Sequence, residues 1–396
     1  MIRVLMVSDV YFPRINGVST SMETFRRALA GLGIDVRLIV PRYGDEADEA
    51  GVIRIPGRRL PNDPEDRLLP WRAMHRRVRE AAADCDLIHV QTPFVAHYAG
   101  LAAARHHGLP VLVTYHTLFE EYLQHYVPWL PARWLRGLAR RFSRRQCNAV
   151  DAVVVPSSAM AERLRNYGVG APMQVLPTGI PLARFADGNG AAFRARLGIE
   201  PERPLALFVG RVAHEKNIGF LLDAFVHSQR RCPDALLLIT GEGPAMDALG
   251  EYARQRGLDD AVRFLGYLDR ERDLPDCYAA ASLFVFASRT ETQGLVLIEA
   301  LASGTPVVAL AAMGTTDILV DAPGCIAAPD DAPAFGDIVG RLLADPERRQ
   351  AMSRDARHTA ARWSDQAMAV RLADFYHQTL ASHAQVATEP GPEPAS

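Results

Sequence analysis

Short runs of residues that are apolar on both faces of a strand recur along this chain. Each is separated from the next by a helix-length amphipathic stretch, and that alternation restricts the fold more than any other feature. In the first half the runs are IRVLMV (2–7), DVRLIV (35–40), DLIHV (86–90), VLVTY (111–115) and AVVVP (152–156), with helical patterns such as STSMETFRRALAGLG (19–33) between them. A strand without a polar face needs cover on both sides, and a helix after each strand brings the chain back to lay down a parallel neighbour. The pattern therefore specifies a parallel sheet with helices on both faces. It then restarts with PLALFVG (204–210), ALLLITG (235–241), VRFLG (262–266), SLFVFA (282–287) and TPVVAL (305–310).

Between the two series, LPTGIPLARFADGNGAAF (176–193) is rich in Gly, Pro and Ala and reads as an interdomain linker. Two doubly wound, Rossmann-like α/β domains are expected, 1–183 and 184–363, facing each other across a central cleft. Ligands of such sheets bind beyond the carboxyl ends of the strands, so the two would enclose one shared site. WSDQAMAVRLADFYHQTLASH (363–383) has Ser364 placed as an N-cap and Met368, Leu372 and Phe375 on one face. This helix, 364–383, is expected to return to the first domain and pack across both, with a disordered tail over 384–396.

A chain of 396 residues suits two domains, and 48 % apolar with 23 % charged residues is ordinary for a soluble globular protein. The five cysteines, Cys85, Cys147, Cys232, Cys277 and Cys325, are odd in number, widely spaced and never arranged C-x-x-C. That argues against a disulfide framework and a zinc site, and for buried thiols in a reducing compartment. No run reaches the ~18 apolar residues of a membrane span. MIRVLMVSDVYFP has one basic residue and too short an apolar run for a signal peptide, so a cytoplasmic protein is expected. The net charge of −2 hides an asymmetry, with 24 arginines against 17 acids in residues 1–185 and an acidic excess after them. The basic half suits an anionic partner such as a membrane or nucleic acid; chance variation between two domains is the other reading.

Four stretches at strand ends carry chemistry. In SDVYFPRINGVSTS (8–21), Gly17 precedes a helix opened by Ser19 and Thr20, where backbone can approach an anion. The loop lacks G-x-G-x-x-G, which counts against a dinucleotide site and a dehydrogenase. VTYHT (113–117) puts His116 at the carboxyl end of the fourth strand, able to hydrogen-bond a sugar or phosphate, or else to serve the structure. VGRVAHEKN (209–217) holds Arg211 and Lys216, the sole lysine among 44 basic side chains. A planar fork and a compact point charge there suit a pyrophosphate. In SRTETQGLVLIEALASG (288–304), Gly294 precedes a helix beginning near Leu295, so the backbone N–H groups of Gly294 to Val296 would meet a phosphate. Glu291 and Glu299 are expected on either side of it, with Glu299 among buried neighbours and in need of a partner.

The ordered set VGR-x4-KN, a GEGP loop (241–244), E-x7-E and EALASG resembles the retaining, nucleotide-sugar-dependent glycosyltransferases of family 4, which have the GT-B fold. The resemblance covers nearly the whole chain. It implies that Arg211 and Lys216 hold the donor diphosphate, that Glu299 binds the ribose hydroxyls, and that Glu291 holds the transferred sugar beside Thr292, Gly294, Leu295 and Val296. Gly243 would join the donor set, Gly17 would line the site from the first domain, and His116 would hydrogen-bond the sugar near its reacting carbon. It implies no metal and no cofactor beyond the nucleotide-sugar co-substrate, and no nucleic-acid partner; no D-x-D pair stands at a strand end.

ETQG in place of the family's common E-G-F-G, and TYHTLFEEY (114–122), resemble the diacylglycerol glucosyltransferases that make membrane glycolipids. That implies glucose from UDP-glucose and a diacylglycerol acceptor. Alternatives are GDP-mannose as donor with phosphatidylinositol, a lipid-linked glycan or a soluble sugar as acceptor, a nucleotide-sugar epimerase, and a two-lobed sugar-binding protein. PWLPARWLRGLARRFSRR (128–145) has six arginines and no acid, interleaved with Trp129, Trp134, Leu135, Leu138 and Phe142. RLLPWRAMHRRVRE (67–80) spaces Trp71, Met74 and Val78 along a helix, with Arg72, Arg76 and Arg79 on another face. Basic amphipathic helices bearing Trp lie on anionic bilayers. Trp71, Arg72, Arg76, Trp129, Trp134, Arg136 and Arg140 are therefore expected to face the cytoplasmic side of the cell membrane; the other reading is two surface helices docked on the sheet.

Overall fold

The computed structural model describes residues 1–14, 16–60, 63–116 and 132–388. The chain forms two compact units, 1–179 with 365–396, and 180–364. Among the described residues the main sheet of unit 1 has seven strands: β1 (Ile2–Val7), β2 (Ile34–Arg42), β3 (Val52–Pro56), β6 (Leu87–Val90), β7 (Val111–Thr114), β8 (Ala152–Val155) and β9 (Met173–Val175), in the order β3-β2-β1-β6-β7-β8-β9. Every pairing is parallel. A short antiparallel ribbon, β4 (Arg58–Leu60) with β5 (Asp63–Leu68), is separate from that sheet. Unit 2 has β10 (Leu205–Val209), β11 (Leu236–Thr240), β12 (Val262–Gly266), β13 (Leu283–Phe286), β14 (Val307–Leu310) and β15 (Cys325–Ala328) in the parallel order β12-β11-β10-β13-β14-β15.

Both orders reverse direction beside the unit's first strand. A ligand crevice in a doubly wound sheet opens at that switch point, here between β1 and β6 in unit 1 and between β10 and β13 in unit 2. The expected runs form interior strands except VRFLG, which is the edge strand β12, and LALFV, LLLIT and LFVF are buried along their whole length because helices cover both faces.

Helices used below are α1 (Gly17–Ala30), α2 (Trp71–Ala82), α3 (Val95–His107), α4 (Ala132–Cys147), α5 (Ser158–Asn166), α6 (Leu182–Ala186), α7 (Gly190–Arg196), α8 (Ile218–Ser228), α9 (Met246–Gln255), α10 (Asp273–Ala280), α11 (Leu295–Ala302), α12 (Thr315–Leu319), α13 (Ala332–Ala344), α14 (Pro346–Ala361) and α15 (Asp365–Thr388). α15 returns to unit 1 and buries Met368, Ala369, Leu372, Phe375 and Tyr376 in one cluster with Met22, Phe25 and the sheet. Its helix runs to Thr388, past the 383 expected from the sequence, because the pattern ends before the backbone hydrogen bonds do. The chain passes from unit 1 to unit 2 inside the expected linker 176–193, between Gly179 and Ile180. From Ile180 it belongs to unit 2, where α6 and the start of α7 bury Phe185 and Phe193. Four cysteines are buried free thiols and Cys325 is half-buried.

Candidate active site

In unit 2 the loop after β10 and the loop after β11 continue the sheet's pairing beyond its strands. Gly210 N–H donates to Thr240 O (3.0 Å), Val212 N–H to Glu242 O (2.9 Å) and Ala245 N–H to Val212 O (3.0 Å). A Cβ on Gly243 would lie 2.2 Å from Val212 O, so the GEGP loop needs glycine there for backbone to pass backbone. The chain then makes a 3₁₀ turn, His214–Lys216, closed by Asn217 in the left-handed region (φ 56°), which asparagine tolerates. Asn217 Nδ2 donates to Ala287 O (3.1 Å) and Ser288 Oγ to Glu215 O (3.3 Å). These two bonds tie the β10 loop to the β13 loop across the switch point.

There Lys216 Nζ donates to Glu291 Oε1, with both side chains about one-fifth exposed. Arg211, in the same loop, is 64 % exposed and has Glu215 at 4.0 Å. The structure thus supplies one half-buried, carboxylate-held ammonium and one solvent-facing guanidinium. The β13 loop is held by Gly314 N–H donating to Glu291 O (2.8 Å). Gly294 turns it into α11 with φ 92°, a conformation that strains any residue with a Cβ. Thr292, Leu295 and Val296 are half-buried at that turn. The first N–H groups of α11 lack intrahelical acceptors, the arrangement that suits an anion at a helix start.

Glu299, one turn further, is 1 % exposed. Its partner, absent from the sequence reading, is double: Arg270 Nη2 donates to Oε1 (2.6 Å) and Tyr278 Oη to Oε2 (2.9 Å). Burial and the carboxylate push the Tyr278 phenol well above its ordinary range, so it remains a donor. Neither partner lies in a motif; only the need of a buried acid for a donor pointed to them.

In unit 1, Asp9, Gln91 and Thr92 follow the two strands at the switch point, β1 and β6, and His116 follows β7. Asp9 Oδ2 accepts from Thr92 Oγ1 (2.7 Å), and both its oxygens accept from Ala96 N–H (3.2 Å) at the start of α3. Burial raises its carboxyl to about 6 against the opposing pull of these donors. His116 Nε2 donates to Gln91 Oε1 (3.0 Å), and burial drives the imidazole down to about 4, so it is neutral at neutral pH. His89, also pushed down by burial, to about 3, joins Tyr376 Oη through Nδ1 and Thr114 Oγ1 through Nε2, both at 2.7 Å. That chain anchors the end of β7, two residues from His116, to α15. Gly17 opens α1, whose Asn16 side chain accepts from Ser19 N–H (2.9 Å).

On α2, Met74 and Val78 are fully buried on the sheet, so that part of the expected apolar stripe docks the helix. Trp71 (51 % exposed), Arg72 and Arg76 face outward, with the Trp71 ring tilted against His75 and Tyr98. On α4, Leu135 and Ala139 are buried while Trp134 (68 %) and Leu138 (58 %) are exposed; Arg140 lies over the Tyr167 ring. Trp129, the stretch 117–122 and the Arg136 side chain lie outside the described residues. Among the described residues no three His, Cys, Asp or Glu side chains group as a metal site, and no helix is long and apolar enough to cross a membrane.

Two parallel-sheet, Rossmann-like units are the architecture of the GT-B fold. The fold matches that of sucrose-phosphate synthase from Thermosynechococcus elongatus with a TM-score of 0.76 at 23 % identity, covering 96 % of this chain and 100 % of that one. Residues 15–184 match the model for Glycosyltransferase Family 4 and residues 191–359 that for Glycosyl transferases group 1. The chain is a glycosyltransferase and belongs to family 4. It is 33 % identical to the alpha-monoglucosyldiacylglycerol synthase of Streptococcus pneumoniae (strain ATCC BAA-255 / R6) over 78 % of this chain and 70 % of that protein. It is 29 % identical to a GDP-mannose-dependent alpha-(1-6)-phosphatidylinositol monomannoside mannosyltransferase of Mycolicibacterium smegmatis (strain ATCC 700084 / mc(2)155) over 94 % of this chain and 97 % of that one.

Proposed function

We propose that this enzyme moves glucose from UDP-glucose to 1,2-diacylglycerol with retention, making an α-glycolipid at the cytoplasmic face of the cell membrane. The observation that carries the reading is the Lys216–Glu291 pair at the switch point of unit 2, beside the exposed Arg211. Departure of a nucleoside diphosphate leaves an oxocarbenium-like sugar and concentrates negative charge on the β-phosphate. Preorganised cations aimed at that charge are the largest catalytic contribution available.

In this reading Lys216 and Arg211 take the diphosphate, the start of α11 takes a phosphate oxygen, and Glu291 and Thr292 take sugar hydroxyls. No metal is used. Neutral His116, its Nε2 proton directed at Gln91, presents Nδ1 as an acceptor for a sugar hydroxyl. Same-face attack follows, with the leaving phosphate receiving the acceptor's proton. The similarity to a diacylglycerol glucosyltransferase supports the donor and acceptor. The exposed tryptophans among arginines on α2 and α4 support membrane contact.

Near end-to-end similarity to a phosphatidylinositol mannoside mannosyltransferase favours a second reading, GDP-mannose with a phosphatidylinositol-type acceptor. Radiolabelled UDP-glucose and GDP-mannose, each supplied with detergent-dispersed diacylglycerol or phosphatidylinositol, separate the two. Label that stays wholly in the aqueous phase in every arm sinks the lipid acceptor.

A further inference from the structure

Glu299 presents a conflict between its place and its proposed work. A carboxylate that holds ribose hydroxyls needs lone pairs open to the ligand, yet this one is 1 % exposed and each oxygen already accepts a hydrogen bond. Each oxygen keeps a second acceptor position, but with the side chain 1 % exposed a ligand reaches it only if one of the two covering partners moves aside. Tyr278 is fully buried on α10, packed edgewise on Phe185 (5.9 Å) and tilted on Phe284 (5.8 Å), and its carbonyl accepts from Thr305 Oγ1. Moving that ring would open the core of unit 2.

Arg270 is different. Its side chain is 35 % exposed and rises from the loop between β12 and α10. The backbone of that loop is fixed by Asp269, whose Oδ1 accepts from Glu271 N–H (3.0 Å) and Arg272 N–H (2.9 Å). The guanidinium can therefore swing into solvent by side-chain rotation alone, with the backbone in place.

We propose that Arg270 is an exchangeable cover of the nucleoside end of the donor site. Its guanidinium occupies Glu299 in the free enzyme and is displaced by the vicinal hydroxyls of the donor's ribose. The inference rests on the reading of Glu299 as the ribose-binding carboxylate. The exchange keeps a buried carboxylate partnered in both states. It also makes the diol a condition of binding, because a nucleotide without it has nothing to offer Glu299 in place of Arg270. Apparent affinity is lowered by the fraction of molecules in which the cover is closed.

The test measures binding of UDP and of 2′,3′-dideoxy-UDP to the wild type and to Arg270→Met by calorimetry. The wild type is expected to favour UDP. The variant is expected to bind UDP about tenfold tighter, as for a cover open in roughly one molecule in ten, with dideoxy-UDP unchanged. Weaker or equal UDP binding in the variant, with the wild-type preference for the diol intact, overturns the cover and leaves Glu299 as the ribose ligand. A wild type that does not distinguish the two nucleotides overturns both. Should Arg270→Met fail to fold, the wild type still decides: the Arg270 guanidinium N–H signals, assigned by comparison with Arg270→Lys, are slow to exchange in free enzyme and become fast on saturation with UDP. Signals that stay protected at saturation refute the cover.

Discussion

Lys216, the sole lysine of the chain, donates its ammonium to Glu291, 75 residues further on, across the switch point of the unit 2 sheet. In a chain whose other 43 Lys and Arg positions are all arginine, a compact three-donor head meets the carboxylate, where a planar fork would present its donors in a different geometry. Lys216→Arg keeps the charge but not the fit. In the proposed transferase its kcat is expected to fall about 100-fold, the scale of losing one donor to a developing anion. Steady-state turnover with the thermal melting midpoint held unchanged is the measurement. Near-normal turnover would make the lysine an accident of composition.

Tyr278 and Glu299 form a buried pair whose energetics can be separated from donor binding. Tyr278→Phe leaves one carboxylate oxygen without its donor in a dry site, and is expected to lower unfolding stability by about 1–3 kcal/mol. In a Glu299→Gln background the same change should cost clearly less, because an amide oxygen is cheaper to leave unsatisfied than a carboxylate. Urea unfolding of the four proteins gives the coupling energy. Strict additivity of the two changes would show that the hydrogen bond contributes nothing to the fold.

The central strands, the order of the two domains and the loops with Arg211, Lys216, Glu291 and Gly294 were legible in the sequence because each rests on a local pattern. What the pattern missed was at the edges and in the partners. β3 has Arg54 at its centre, β9 has three residues, and β15 is the short CIAA; all are edge strands, half-covered, and none needs a continuous apolar run. Segment 176–193 reads as a linker because glycine and proline are abundant in it, and the units do divide there, at 179/180; its composition gives no sign that Phe185 and Phe193 are core residues of unit 2. Arg270 meets Glu299 from 29 residues away and Gln91 meets His116 from 25, and a side-chain pairing at that separation leaves no local signature.

Four titrating groups in unit 1 set an acid limit on stability. His89 is depressed to about 3, and His97 and His116 to about 4, all by burial, against an ordinary 6.5. As pH falls below 6.5 the unfolded chain takes up protons that the native histidines refuse, so this contribution is complete above 6.5 and is lost as pH falls toward 4. Asp9, raised from 3.8 to about 6, acts in the opposite sense: the native state binds its proton first, and stability gains between about 6 and 4. Three histidines outweigh one carboxyl, so unfolding free energy is expected to decline as pH falls from 7 to 4.5. Asp9→Asn removes the opposing term and should steepen that decline below pH 6. A flat or rising profile in urea titrations over this range contradicts the assignment.

Trp71 and Trp134 test whether the basic helices touch a bilayer, because their burial differs from that of their neighbours. Met74, Val78, Leu135 and Ala139 hold α2 and α4 to unit 1, whereas both indoles and Leu138 stand in solvent beside Arg72, Arg76 and Arg140. An indole at the headgroup level and arginines near an anionic surface each favour adsorption, the latter by about 1 kcal/mol per charge. Trp134→Ser removes mainly exposed surface and Trp71→Ser also the ring contacts to His75 and Tyr98, so the melting midpoint should fall only slightly. Binding to vesicles containing an anionic phospholipid should fall at least tenfold in co-sedimentation, and should weaken in the wild type as salt is raised. Equal sedimentation of variant and wild type would leave these helices as ordinary docked cover of the sheet. The proposed lipid acceptor would then have to reach the enzyme by another surface.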